Sequence, residues 1–233
     1  MITVAATDTN DKRMGFSNWG KYVRIAAPGE EILSLRARRT DLIMMAGGKD
    51  YTPGRAFLGP GAKYYHATGT SFAAPFVTGV ASLILAKNPR LTPAQVEHML
   101  LMSADDVESP GWDQLTGYGR LNARKALEAD PDYYLYAEVH KLTPAREQGR
   151  SVVQISGTVA GSHLERYEIQ LGQGANPSNW KTAVTEQNRT VRDNVLGAIP
   201  VSEITSRGQW VVRLLAHDTA KKTRESRGSL NVQ

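Results

Sequence analysis

The sequence predicts an α/β region followed by an all-β antiparallel sandwich, and three observations support this. Residues 2–6 and 23–27 are short apolar, β-branched runs that read as buried strands. Residues 72–86 are apolar and uncharged over a length typical of a helix. After the sequence Asp-Pro-Asp at 130–132, the apolar spacing changes from 3.6 residues to 2. We therefore predict two domains, residues 1–129 and 130–233.

The apolar run at 72–86 predicts a buried core helix. It is rich in Ala, Val and Leu and carries no charge as far as Ala86, and the sequence Asn88-Pro89 ends it. A bilayer-spanning helix needs about 20 apolar residues. This run is shorter and contains Pro75, Thr78 and Ser82, so we predict no membrane partner.

Ser71 lies at the start of this helix, directly after a glycine turn, and is the candidate catalytic residue. The N-terminus of a helix supplies free backbone N–H groups and the positive end of the dipole, which favour developing negative charge. A nucleophilic serine suits that position. A plain N-cap role for Ser71 suits it equally well on spacing alone.

Two further helices have explicit start signals. Thr92-Pro93-Ala94-Gln95 combines an N-cap threonine, a proline at the first position and a glutamine that closes a capping box. We predict a helix from Pro93 to about Ser103 with Val96, Met99 and Leu100 on one face. Asn122 is placed to cap a last helix over residues 123–129.

Residues 36–64 predict a long loop between strands at 32–35 and 64–67. The segment is rich in glycine, and its one apolar stretch is residues 42–46. A loop of this length either contacts a substrate or is a solvated insertion.

Residues 130–233 predict an antiparallel sandwich of immunoglobulin-like type. About seven short segments alternate apolar and polar residues and are separated by turn clusters such as residues 172–177. The apolar positions that alternate are Tyr134/Tyr136, Val153/Ile155, Tyr167/Ile169/Leu171, Trp180/Val184 and Trp210/Val212/Leu214/Ala216. The region has no cluster of catalytic residue types, so we predict a spacing, stabilising or surface-binding role.

Charge and cysteine content exclude several classes of function. The net charge of +5 is spread along the chain, with 15 basic and 13 acidic residues in 1–130 and 13 and 10 after them. The two basic groups, residues 36–39 and 221–224, lack interleaved aromatic residues, so we predict no nucleic-acid partner. Without cysteine the chain has no disulfide framework and no thiolate metal site.

Several motifs resemble the subtilisin-like serine peptidases (subtilases, peptidase family S8). Residues 69–75, Gly-Thr-Ser-Phe-Ala-Ala-Pro, and residues 77–81, Val-Thr-Gly-Val-Ala, resemble the family's nucleophile signature. Residues 117–122, Gly-Tyr-Gly-Arg-Leu-Asn, resemble its closing turn. The resemblance covers residues 1 to about 129 and implies a partial subtilisin-like parallel-sheet domain. Phe76 departs from the histidine that often follows the proline in this family.

The resemblance implies a serine endopeptidase that acts on proteins or peptides. Ser71 would attack the scissile carbonyl to form an acyl-enzyme, and its backbone N–H would be one oxyanion donor. Pro75 would fall near the first turn of the helix, where a missing N–H costs little.

No part of the sequence matches the family's Asp and His motifs, which precede the serine motif. Asp8 fits a later strand better than the aspartate site, and His66 lies too near Ser71 along one extended segment to serve as its base. His98, His140, His163 and His217 fit surface or structural roles. We therefore expect a fragment that lacks the N-terminal half of the catalytic domain, with the catalytic Asp and His and the oxyanion-hole Asn, and is inactive alone.

The remaining expectations also follow from the resemblance. It implies a secreted or cell-surface location, although residues 1–6 show no signal-peptide pattern. Calcium is frequent in the family, but no acidic loop here has convincing ligand spacing. The alternative from another class is a non-catalytic binding or spacer protein whose β-sandwich module carries the function.

Overall fold

The computed structural model describes residues 1–35, 57–58 and 63–232. The described elements before residue 130 are β1 (Thr3–Thr7), β2 (Val23–Pro28), β3 (Ile32–Leu35), β4 (Phe57–Leu58), β5 (Tyr64–Ala67), α1 (Thr70–Lys87), α2 (Pro93–Met102) and α3 (Ala123–Glu128). Those after it are β6 (Leu135–Glu147), β7 (Arg150–Gly161), β8 (Leu164–Gln173), β9 (Lys181–Gln187), β10 (Val191–Pro200), a 3₁₀ turn (Val201–Glu203), β11 (Gly208–Asp218) and β12 (Thr223–Val232).

The two apolar runs at the start of the chain are strands, as predicted, and they form a parallel pair, which fits the parallel sheet that the resemblance implies. β1 and β2 are in register from Thr3 opposite Val23 to Thr7 opposite Pro28. β2 is covered on its other side by the segment after α2, because the N–H of Ala26 donates to Gly119 O (2.9 Å) and the N–H of Leu121 donates to Ala26 O (2.8 Å). β2 is therefore an interior strand.

β3, β5 and β4 form a separate antiparallel sheet in that order. The prediction of a continuous loop over residues 36–64 is wrong at Phe57–Leu58, which pair with Tyr65 and Tyr64 of β5. Backbone pairing with β5, rather than apolar periodicity, defines this two-residue strand, so the sequence pattern does not reveal it. Residues 36–56 and 59–62 lie outside the described part of the chain, and the predicted substrate contact of this loop stays a prediction.

The predicted core helix α1 is buried on one face only. Its buried residues, Ala73, Val77, Val80 and Ile84, form one stripe against β1 and β2, as the 3.6-residue repeat requires. Phe76, Leu83 and Leu85 are exposed, because no described element packs on their side. α1 is also the one helix among the described residues that is long and apolar enough to cross a membrane. One such helix is weak evidence for a membrane span, because the core helix of a water-soluble protein can have the same length and composition.

Both other helices begin as predicted. Thr92 caps α2, its hydroxyl accepting from the N–H of Gln95 (3.3 Å) while the Gln95 side chain accepts from the N–H of Thr92 (2.9 Å). Val96, Met99 and Leu100 are buried on its inner face, together with Leu101. Asn122 caps α3 by accepting from the N–H of Lys125 (3.0 Å).

Residues 135–232 form two antiparallel sheets with strand orders β10-β7-β6 and β12-β11-β8-β9. The number of strands in this region is the predicted seven, but they are 7 to 13 residues long rather than short. Tyr134 and Trp180, which the sequence predicts to be in strands, lie just before β6 and β9. The Trp180 ring lies under the guanidinium of Arg213 (4.1 Å). The core between the sheets includes Ile155, Tyr167, Ile169, Leu196 and Leu214, all fully buried. The boundary at 129/130 stays a prediction.

The first strand of this region faces two cores. Leu135, Ala137 and Val139 of β6 point into the core between the two sheets. Tyr136, between them, packs into the core around α1 and α2 instead. Alternate side chains of a strand point to opposite faces, and here both faces are covered, so residues 135–139 are all buried.

A buried carboxylate lies at the junction between the two regions, where β6 contacts both cores. Glu138 of β6 accepts hydrogen bonds from Arg24 Nη1 (2.7 Å) and the hydroxyl of Tyr118 (2.6 Å). Its other oxygen lies 2.9 Å from Nε2 of His140, whose Nδ1 lies 3.0 Å from Asp193. Burial alone would raise the pKa of Glu138, but His140, Arg24 and Tyr118 lower it below its usual value. The negative charge of Glu138 is thus stabilised by three side chains, those of Arg24, Tyr118 and His140.

Gly117 fits where no other residue would. Its φ of +67° lies in the left-handed region, and an added Cβ would lie 2.4 Å from the carbonyl carbon and oxygen of Arg24. The backbone of the closing turn therefore passes directly against β2, where the N–H of Tyr118 donates to Arg24 O (2.9 Å).

We expect Gly117→Ala to lower the free energy of unfolding of the full chain much more than Gly149→Ala. Gly149 also has a positive φ (+78°), but an added Cβ meets no atom within 4 Å, so this control carries only the conformational cost of about 1 kcal/mol. Gly117→Ala adds a backbone clash and should cost at least about 2 kcal/mol more. Urea unfolding followed by circular dichroism measures both, and equal losses would refute the close approach.

His140 gives the junction a dependence on pH with a definite sign. Burial lowers the pKa of His140, but its hydrogen bonds to Glu138 and Asp193 outweigh burial and raise it above 6.5. A raised folded-state pKa gives stability that is full below 6.5 and is lost as pH rises through the folded value. We expect the wild type to exceed His140→Gln in free energy of unfolding by more at about pH 6 than at about pH 9.

Urea titrations of both proteins at the two pH values measure this difference. Asp193→Asn removes one of the two carboxylates at the ring, so in that background the change with pH should shrink. A difference that stays flat or grows with rising pH would contradict the assignment.

Candidate active site

The turn before α1 is fixed to the end of β2. The N–H of Gly69 donates to Gly29 O (2.8 Å), and Gly29 in turn donates to Thr7 O at the end of β1 (3.0 Å). A Cβ on Gly29 would lie 2.6 Å from the Cβ of Ala6 and 3.0 Å from Gly69 O. The close packing of these backbones sets the position at which α1 begins relative to the parallel strands.

Ser71 is the second residue of α1 and is exposed. The N-cap is Gly69, without a side-chain capping bond, so the alternative interpretation of Ser71 as a plain N-cap is wrong. Gly69 O accepts from the N–H groups of Phe72 (3.0 Å) and Ala73 (3.3 Å). The N–H of Ser71 thus lies ahead of the helix ladder, at the positive end of the dipole.

The Ser71 hydroxyl has no hydrogen-bond partner among the described residues, unlike other hydroxyls of the same helix. Thr78 Oγ1 donates to Ala74 O (3.2 Å) and Ser82 Oγ to Thr78 O (3.0 Å). These bonds to the preceding turn satisfy both groups locally. The Ser71 side chain therefore contributes no described bond to the fold and is accessible to an incoming molecule.

Pro75 lies deeper in the helix than the resemblance implied. It is the sixth residue of α1, inside the helix rather than in its first turn. Because proline has no N–H, the carbonyl of Ser71 receives no bond from position 75. Both backbone groups of Ser71 are therefore outside the regular i to i−4 pattern.

The histidines considered as bases all have other partners or positions. His66 of β5 has Nδ1 2.9 Å from Glu31 O, and the ring of His98 stacks on Tyr134 with centroids 4.4 Å apart. His217 lies near Glu168 (3.5 Å), and His163 is exposed. Within the described part of the chain, no histidine is hydrogen-bonded to Ser71.

Asp8 has a local structural role. Its Oδ1 accepts from the N–H groups of Asn10 (2.8 Å) and Lys12 (2.9 Å), which fixes the turn after β1. This agrees with the interpretation that Asp8 belongs to the strand end rather than to a catalytic pair.

A second charged cluster, around Asp105, is not predicted by any pattern in the sequence. Lys125, Arg120 and Asn122 donate hydrogen bonds to this carboxylate and lower its pKa to about 2. The cluster lies beside the ends of β1 and β2, on a cavity of about 380 Å³ that also includes Asp8, Asp11 and Glu30. The partners are 15 to 20 residues from Asp105 along the chain, and only the fold brings them together.

The described residues contain no group of three or more His, Asp or Glu side chains placed to hold a metal ion. Calcium therefore stays a prediction.

With this geometry in place, the comparisons with known proteins identify the family. The family model Peptidase_S8, the subtilase family, matches residues 1–119, half of the chain. The chain belongs to the subtilase family.

Named serine proteases are among its relatives. It is 36% identical over 131 residues to a probable subtilase-type serine protease of Deinococcus radiodurans (55% of this chain, 17% of that protein) and 31% identical over 152 residues to the cell wall-associated protease of Bacillus subtilis (55% and 14%). Fervidolysin of Fervidobacterium pennivorans is 38% identical over 131 residues (55% and 18%). The chain thus spans less than a fifth of the length of each relative.

We expect Ser71→Ala to leave the free energy of unfolding of the full chain within about 0.5 kcal/mol of wild type, since no described bond is lost. Ser17→Ala is the matched comparison. Ser17 is buried, and its Oγ accepts from the N–H of Ala6 (3.1 Å), so its loss should cost about 1–2 kcal/mol. Urea unfolding measures both. A Ser71→Ala cost as large as that of Ser17→Ala would show that the Ser71 hydroxyl supports the fold.

Proposed function

We propose that this chain is part of a serine endopeptidase and that Ser71 is its nucleophile. The observation that carries the proposal is the exposed, unpartnered hydroxyl of Ser71 at the N-terminus of α1. It lies within the part of the chain that matches the subtilase family. A side chain that does nothing for the described fold, yet is held at a helix N-terminus, suits a reacting group.

The chemistry is acyl transfer. Ser71 Oγ attacks the carbonyl carbon of a peptide bond, its proton passes to a general base, and the carbonyl oxygen becomes an oxyanion. The N–H of Ser71 lies ahead of the helix ladder and is available to donate to that oxyanion. The amine leaves with a proton from the base, and water then releases the acyl group from Ser71.

The base and its orienting carboxylate come from outside the described residues. His66, His98, His140 and His217 have other partners, and Asp8 is used in its own turn. We infer that a separate segment supplies the His, the Asp and the oxyanion-hole Asn, and that the 233-residue chain alone is inactive.

Residues 130–233 are proposed as an immunoglobulin-like β-sandwich that supports the catalytic part. Two antiparallel sheets with a shared core favour this assignment. The buried contacts of Tyr136 and Glu138 with the first region favour a supporting role. The substrate is proposed to be protein or peptide. A secreted or cell-surface location is proposed because the similar Bacillus subtilis protein is a cell wall-associated protease.

A fluorophosphonate probe tests the nucleophile. We expect the isolated chain to remain unlabelled at Ser71, because no described base is in contact with the hydroxyl. The protein encoded by the longest open reading frame that contains this chain should be labelled at Ser71. Mass spectrometry maps the labelled residue, and Ser71→Ala should abolish the label. Ser82→Ala, a hydroxyl of the same helix, is the control and should leave labelling unchanged.

Three results would count against the proposal. Rapid labelling of the isolated chain would refute an external base. A longer product with the Asp and His motifs that is not labelled at Ser71 would refute the nucleophile. An in-frame stop directly before codon 1, with a start signal, would favour the binding or spacer protein.

A further inference from the structure

The segment that leads from β5 into α1 is attached to the turn between β2 and β3. The antiparallel pairing of β3 with β5 ends at Ile32 opposite Ala67, and the next residues along the two chains are Glu31 and Thr68. Glu31 leaves the ladder because its φ of +50° lies in the left-handed region, which is unfavourable for a residue with a side chain. A conformation of this kind persists where the surrounding contacts hold it in place.

Two side chains of the segment hold Glu31 in that conformation. The N–H of Glu31 donates to Thr68 Oγ1 (3.0 Å), and the carbonyl of Glu31 accepts from Nδ1 of His66 (2.9 Å). Since a carbonyl oxygen can only accept, Nδ1 of His66 carries the proton. We call these contacts of Glu31 with His66 and Thr68 the Glu31 clamp.

The turn that carries Glu31 is itself fixed to the end of β1. The N–H of Gly29 donates to Thr7 O (3.0 Å), and the N–H of Thr9 donates to Glu30 Oε2 (3.2 Å). The Glu31 clamp therefore ties the start of α1 to the parallel strands through side chains, in addition to the backbone bond from Gly69 to Gly29.

Apolar packing contributes little to the position of the segment before Ser71. Of residues 66–71, Ala67 is the one that is buried, and Thr68 and Ser71 are exposed. β3, the partner strand, exposes Leu33 and Leu35, and a small sheet without a covered face is only marginally stable. The hydrogen bonds of the Glu31 clamp are therefore the contacts that restrict this turn.

We propose that His66 and Thr68 are positioning residues for Ser71, because by holding Glu31 they fix the turn that presents the Ser71 hydroxyl and N–H. This role rests on the function proposed for Ser71. Neither side chain is hydrogen-bonded to Ser71 within the described part of the chain, so both act through the backbone at Gly69. A displacement of about 1 Å at a reacting group can cost about 100-fold in rate.

The first test uses the 233-residue chain and does not depend on catalysis. Thr68→Val keeps the shape of the side chain but removes the acceptor of the Glu31 N–H. The amide hydrogen of Gly69 is bonded to Gly29 O, and we expect it to exchange with solvent at least about tenfold faster in this variant. Thr68→Ser keeps the hydroxyl and should exchange at the wild-type rate.

Thr78→Val is the matched control. It makes the same chemical change at another exposed position, where the hydroxyl donates to Ala74 O within α1 (3.2 Å). The exchange of the Gly69 amide should be the same in this variant as in wild type.

The second test uses the protein encoded by the longest open reading frame that contains this chain. Labelling of Ser71 by a fluorophosphonate over a range of probe concentrations gives a binding constant and a limiting rate. We expect Thr68→Val and His66→Phe to lower the limiting rate at least about tenfold and to change the binding constant by less than about twofold. Thr68→Ser should restore the wild-type rate. A merely structural defect would instead lower the fraction of protein that reacts.

Three results would overturn the proposal. The first is an unchanged exchange rate of Gly69 in Thr68→Val, and the second is a wild-type limiting rate in both Thr68→Val and His66→Phe. The third is an equal loss of rate in Thr78→Val, which would show a general effect of removing a hydroxyl. His66→Phe keeps both tests decisive if Thr68→Val fails to fold.

Failure of the function proposed for Ser71 gives a different result. In that case the wild-type longer protein is itself unlabelled, and the positioning role falls with the nucleophile even where faster exchange of Gly69 demonstrates the Glu31 clamp.

Discussion

Strand β2 is the constraint on which the rest of the described structure depends. Its backbone is bonded on one side to β1 and on the other to residues 118–121. Gly29 directly follows the end of β2, and its carbonyl accepts from the N–H of Gly69, which fixes the start of α1 and therefore Ser71. The side chain of Arg24 in β2 reaches Glu138 in the β region. Since a buried backbone must satisfy its N–H and C=O groups, β2 cannot shift without disturbing both the candidate nucleophile and the junction.

The junction combines apolar burial with a paired charge, and the two contribute differently. Tyr136 inserts between α1, α2 and the β sheets and removes apolar surface from water. Glu138 gains little net energy from its ion pairs, because desolvation offsets the attraction. Its three partners do fix the geometry: an unpaired carboxylate here would be costly, so other relative placements of the two regions are disfavoured.

Local signals predicted local structure. The capping box at Thr92, the cap at Asn122 and the paired runs at β1 and β2 depend on neighbouring residues or on simple periodicity, and all three are confirmed. Contacts between distant residues were not predictable. Arg24 and Glu138 are 114 residues apart, and Asp105 and Arg120 meet only through the fold. Composition also misled at α1, because an apolar helix is buried only where elements pack against it.

The candidate site also combines local and long-range features. The position of Ser71 requires a close backbone approach at Gly29, a turn at Gly69 and a helix N-terminus, and short sequence motifs encode all of these. A general base must reach the hydroxyl from another element, so its placement is a long-range property. A chain can therefore hold the candidate nucleophile at a helix N-terminus while none of its described histidines is hydrogen-bonded to it. The hydroxyl has no described structural bond, and its position is set by backbone packing that does not involve the side chain. The fold thus holds Ser71 in place whether or not the base is present.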